Sequence, residues 1–296
     1  MKNISFILIL SLLTARLFAQ EVELKALYVT DFIDIIDVVS EEDELLSYAQ
    51  QNHYNYLVLY GIFDIHQHRF PLDNEMTDDP LVRFITKAKT KYGVKRISVA
   101  AKSADEFRPL IAYNHHHKED SLARIDAFNV EFHFWTTKLI RAESEYCKTY
   151  LEPLGLPCTR NGAYFFYLKQ LQDVRGLCNE NHIELETFIS SVSQDEFRKI
   201  LLYVNTIHLP YYRKNTKNIA KYKASRLEAI INAKSKINIC LVFSADQKYM
   251  KSWLQAHQAN EVIDIFKEQL NNNKSLKPII NNIKSYGWKP YRSLIQ

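Results

Sequence analysis

Stretches with strand character and stretches with helix character take turns along almost the whole chain. Apolar, strand-like segments fall at residues 24–30, 54–62, 95–101, 125–135, 183–190, 206–212 and 237–244, with helical patterns between them. That beat leaves few architectures open. Strands that each hand over to a helix lie parallel, and seven or eight such units close into a barrel. The 296 residues accommodate one α/β barrel of about 250 residues, and no low-complexity linker divides them. The sequence therefore predicts a single (β/α)8 barrel of the TIM type. Its eighth strand is the weak one, with a short or irregular piece at 286–292 as the candidate.

The fourth segment carries the chemistry. With the two-residue period of a strand, Phe128, Val130, Phe132 and Phe134 share one face, and Asn129, Glu131, His133 and Trp135 share the other. Under a layer of helices the apolar face packs outward and the polar face lines the interior. A carboxylate in that interior costs several kcal/mol unless it is paired or hydrated, so Glu131 asks for a partner.

The start of the chain reads as an export signal. Lys2 supplies the positive region, residues 4–13 the apolar core, and Leu17-Phe18-Ala19 followed by Gln20 a cleavage site. A leader over 1–19 and a barrel over 20–296 are expected, in the periplasm or outside the cell. The apolar run is too short for a permanent span, and no Cys marks a lipid anchor. Net charge is +4, or +2 without Lys2 and Arg16, and neither value suggests nucleic acid as a partner. In an oxidising compartment Cys147 and Cys158, which flank a short Pro- and Gly-containing stretch, are expected to bridge. Such a closure contributes about 3 kcal/mol in the chain-entropy view. Cys178 and Cys240 read as buried thiols. The run His115-His116-His117 lacks an acidic partner at ligand spacing, so no metal is expected, and no Gly-rich phosphate loop or other cofactor motif appears.

In a barrel of this kind the working face lies at the carboxyl ends of the strands. Those ends offer Asp31, Tyr60, Glu131, His133, Trp135, Glu184 or Glu186, Tyr211, Tyr212 and, near the end of the chain, Trp288. Carboxylates that bond hydroxyls beside aromatic faces that stack on rings suit a carbohydrate cleft.

Asp126-Ala127-Phe128-Asn129-Val130-Glu131-Phe132-His133 resembles the strand-four signature Asp-Gly-x-Asp-x-Asp-x-Glu of glycoside hydrolase family 18, the chitinases and endo-β-N-acetylglucosaminidases. Ser98-Val99-Ala100-Ala101 is similar to the family's Ser-x-Gly-Gly, Leu209-Pro210-Tyr211-Tyr212 resembles its Met-x-Tyr-Asp, and Trp288 sits where it has a strand-eight Trp. The resemblance implies a ligand containing N-acetylglucosamine, either a glycan or a peptidoglycan fragment. It places His133 at the general acid, Glu131 at the residue orienting the acetamide, Asn129 at the first inner Asp and Tyr211 at the acetamide-holding Tyr.

The departure at His133 decides the expectation. A histidine differs in reach and charge from a glutamic acid of raised pKa, so the substrate-assisted mechanism is impaired or lost and the barrel binds glycan. Two alternatives stay open. One is an active glycosidase with Glu131 as acid or base, and the other a structural or protein-binding barrel whose polar interior is a satisfied network.

Overall fold

The structure, a computed structural model, describes residues 23–233 and 236–295, so the leader expected at 1–19 lies outside the described residues. Eight strands close a barrel: β1 Leu24–Val29, β2 Tyr56–Leu59, β3 Arg96–Ala101, β4 Ala127–Val130, β5 Glu184–Phe188, β6 Thr206–Pro210, β7 Asn238–Ser244 and β8 Ile283–Lys289. Each pairs in parallel with the next, and β8 pairs with β1 through Leu24–Ser285 and Leu27–Trp288. The expected (β/α)8 barrel is the observed fold.

The eighth strand is irregular, as expected, but longer than the sequence suggests. It runs for seven residues from Ile283, with one register shift opposite Ile239 and Cys240. Its weak signal has a physical source. Ser285 and Gly287 face the crowded interior, where a Cβ at Gly287 would come within 2.5 Å of the Ala26 carbonyl. Only glycine allows that approach, and glycine carries no strand signature.

The main helices follow the first seven strands: α1 Val39–Gln51, α2 Asp79–Lys91, α3 Ala104–His116, α4 Arg160–Asn181, α5 Gln194–Ile200, α6 Ala224–Ile231 and α7 Glu261–Asn271. Outward-facing strand residues and the apolar stripes of these helices form the large core. Phe128 of β4 stacks on Phe107 of α3, with ring centroids 4.5 Å apart. Between β4 and α4 the chain forms no long helix but short pieces, with a wide helical turn at Tyr146–Leu151. There Cys147 is joined to Cys158 by the expected disulfide, with Cα atoms 5.5 Å apart. Cys178 and Cys240 are buried free thiols. His117 of the histidine run is committed to Asp78, at 2.9 Å.

Candidate functional site

β4 ends at Val130, yet its alternation outlasts the ladder. The Glu131 amide donates to the Ala101 carbonyl at 2.9 Å and keeps the chain extended. Phe132 then packs outward on Tyr146 and Phe166, with centroids 4.6 and 4.7 Å away, and Phe134 packs on Tyr167 at 4.9 Å. With those rings anchored in the outer core, Glu131, His133 and Trp135 are left at the barrel mouth. Tyr60 arrives from the end of β2 and Lys289 from the last position of β8.

Glu131, only 7% exposed, is held from three sides. The Tyr60 hydroxyl donates to its Oε2. His133 Nε2 lies 2.7 Å and Lys289 Nζ 3.1 Å from its Oε1, and Lys289 also reaches the Tyr60 oxygen at 3.1 Å. Burial by itself would raise the Glu131 pKa, but the Lys289 ammonium and the bonds from His133 and Tyr60 outweigh it and hold the carboxyl well below its usual range. An ionised carboxylate only accepts, so His133 carries a proton on Nε2. Burial, then the Glu131 charge, push the Tyr60 phenol well above its ordinary value and keep it a donor.

This cluster divides a groove across the mouth. On one side a cavity of about 480 Å³ is lined by Tyr60, Phe63, Lys102, Glu131, Tyr146 and Tyr150, among others. On the other, one of about 590 Å³ is lined by Trp135, Phe188, Tyr212, Asp246, Lys248 and Tyr249. His133 and Lys289 belong to both walls. Aromatic rings therefore flank the charged centre on either side, a layout suited to an extended chain of rings.

The residues read from sequence separate into four places. Tyr60, Glu131, His133, Trp135 and Tyr212 line the groove. Glu186 and Asn129 lie deeper in the interior. Glu186 is 1% exposed and holds Arg96 Nη2 at 2.6 Å, Ser98 Oγ at 2.8 Å and the Tyr56 hydroxyl at 2.5 Å. His208 Nε2 stands 3.2 Å from Glu186, off the line of a hydrogen bond. Asn129 is fully buried, and neither of its amide atoms has a protein partner among the described residues. Asp31 is taken by Arg292, whose Nε approaches to 2.5 Å.

Tyr211 and Trp288 point away from the groove. Tyr211 meets Phe266 edge-on at 4.9 Å in the outer core, and the Trp288 indole donates to the Ala259 carbonyl at 3.1 Å. In each case the following residue, Tyr212 or Lys289, faces the groove. Sequence reasoning missed Lys289 and the groove rings Tyr146, Tyr150 and Phe188; for Lys289 the two-residue period supplies the signal, since with Trp288 set against helices Lys289 has to face in.

Fold and site together define a (β/α)8 barrel with a polar, aromatic-walled groove at the carboxyl ends of its strands. No protein-family model and no curated protein matches the chain. Among solved structures it is similar to 3-keto-D-glucoside 4-epimerase from E. coli, with a TM-score of 0.50 and 7% identity over 90% of this chain and 92% of that one. A GH113 β-1,4-mannanase matches with a TM-score of 0.47 and 12% identity, over 90% and 88%. QR15, an aldolase, gives 0.45 and 7%, over 92% and 91%. Identities of this size speak to the fold alone, and one barrel hosts many chemistries.

Proposed function

We propose that this protein is a secreted barrel that binds an N-acetylglucosamine-containing glycan along the groove, with glycoside hydrolysis impaired or lost. The observation that carries this reading is the state of Glu131. A general acid must hold a proton near neutral pH, whereas this carboxyl is kept anionic by Lys289, His133 and Tyr60. His133, which stands where the family 18 resemblance puts the acid, spends its Nε2 proton on Glu131. Tyr211, the counterpart of the acetamide-holding Tyr, has its hydroxyl in the outer core, which also argues against the family's mechanism. Trp135, Tyr146, Tyr150, Phe188 and Tyr212 supply the platforms that sugar faces need. Export is supported by the leader-like start of the sequence and by the Cys147–Cys158 bridge, a bond that persists in oxidising compartments.

The test is to incubate wild type and Glu131→Gln with chito-oligosaccharides, N-glycans and muropeptides, following bound ligand and released product. Binding by both without product is expected. Product from wild type that vanishes in the variant would sink the impaired-site reading. It would favour a second one, turnover through the 2.7 Å Glu131–His133 pair, in which Nδ1 of His133 is left to accept a proton.

A further inference from the structure

The two halves of the groove differ in charge. The half beside Tyr60 carries four carboxylates, Asp64, Glu106, Glu131 and Glu145, against the ammoniums of Lys102 and Lys289. The half beside Trp135 has Lys289 and Lys248 against Asp246, and it opens through Tyr212, Lys248 and Tyr249 into a recess where Arg213 and Lys214 add two cations and no acid. Among the described residues, Arg213, Lys214 and Lys248 make no ion pair. Arg213 instead lies over the Tyr222 ring at 4.7 Å, and Lys248 over Tyr249 at 5.0 Å. Asp246, the one carboxylate there, already receives the Ser293 hydroxyl at 3.1 Å. The floor of this half is a pair of rings, Tyr212 and Tyr249, with centroids 5.1 Å apart.

From this polarity we infer that the ligand is a glycan with one carboxylate-bearing sugar, seated on the Tyr212–Tyr249 floor with its carboxylate among Lys248, Arg213 and Lys214, while the uncharged neighbouring sugar crosses Glu131. The inference rests on the glycan reading above and narrows its substrate class. Unpaired cations around an aromatic floor attract an anion without first having to release a carboxylate. The acidic half repels a second anion, so a chain charged at every sugar fits poorly while one charged at every second sugar can place a neutral unit at the centre. A lactyl carboxylate, as on muramic acid, and a uronyl carboxylate offer the same chemistry to this lobe.

Calorimetry of the wild type with four probes tests it: N-acetylglucosaminyl-N-acetylmuramic acid, an N-acetylglucosamine–glucuronic acid disaccharide, chitobiose and tetragalacturonate. The expected order puts one or both singly charged disaccharides above chitobiose and above tetragalacturonate, and which of the two leads identifies the carboxylate source. An exposed charge pair is worth up to about fivefold in affinity, so the advantage over chitobiose should be about that per engaged cation and shrink with added salt. In Lys248→Gln/Arg213→Gln the ratio of charged to neutral affinity should collapse toward parity. Parity in wild type, a ratio unmoved by the double substitution, or tightest binding of tetragalacturonate overturns the carboxylate assignment while leaving glycan binding standing. Failure of all four probes to bind overturns the glycan reading, and this inference with it.

Discussion

Two carboxylates in this barrel are dressed almost identically. Deep in the interior Glu186 meets a guanidinium, an imidazole and a tyrosine hydroxyl, from Arg96, His208 and Tyr56. At the mouth Glu131 meets an ammonium, an imidazole and a tyrosine hydroxyl, from Lys289, His133 and Tyr60. In both, burial pushes the carboxyl up and the cation with its hydrogen-bonding neighbours brings it well below the usual range. What separates them is water. Glu186, His208 and Tyr56 are buried, and of that set only Arg96 is partly exposed, whereas the His133 side chain is 32% exposed and opens on two cavities. The same set of groups is thus shut in at one place and open to the groove at the other, and under the proposed reading only the second can exchange a partner for a ligand.

That contrast can be broken most sharply at the clamp. Arg96→Met would leave the buried Glu186 without its cation, a loss of about 3–5 kcal/mol, read as a lowered midpoint in urea unfolding. A change under about 1 kcal/mol would mean that water reaches the interior and that the two sites are alike. Gly287→Ala acts between them, on the strand that delivers Lys289. Its methyl would press on Ala26, and overpacking of this kind costs about 1–3 kcal/mol. Thermal unfolding should show that loss, and an unaffected melting temperature would contradict the tight approach of β8 to β1.

A milder result is expected at the mouth. Lys289→Met should cost less, about 1–3 kcal/mol, since the His133 and Tyr60 hydrogen bonds to the buried Glu131 remain, but it removes the main cause of the depressed carboxyl. The Glu131 titration, followed by NMR of a labelled glutamate side chain, should move upward. An unshifted titration would assign the depression to other neighbours.

Acidification gives the smallest and most graded contrast. Both glutamates have folded-state values depressed below the ordinary 4.5, so their stabilising contribution is present above that value and is lost as pH falls below it. Glu131 can take a proton through the open groove, whereas Glu186 must first be exposed. Ligand binding should therefore fade at a higher pH than the far-ultraviolet circular dichroism signal. Simultaneous loss of both would show that the mouth and the interior titrate as one unit.

Local pattern alone placed the fold class and the polar face of the fourth segment, because alternation along a strand and a strand's handover to a helix are properties of neighbouring residues. It also put Glu131, His133 and Trp135 on one side and Phe128, Val130, Phe132 and Phe134 on the other, as the structure has them. Three things were decided only by the closed barrel. The eighth strand is held by pairing with β1 and β7, and its glycine is selected by a backbone more than 250 residues away in sequence, at Ala26. The choice between Tyr211 and Tyr212, and between Trp288 and Lys289, depends on which face of a short strand meets the helices, and a pair of adjacent aromatic or amphipathic residues does not declare that locally. Finally, the ammonium that fixes the charge of Glu131 comes from 158 positions along the chain. A contact of that span exists only once the barrel has closed, which is why the sequence could name the carboxylate but not its charge partner.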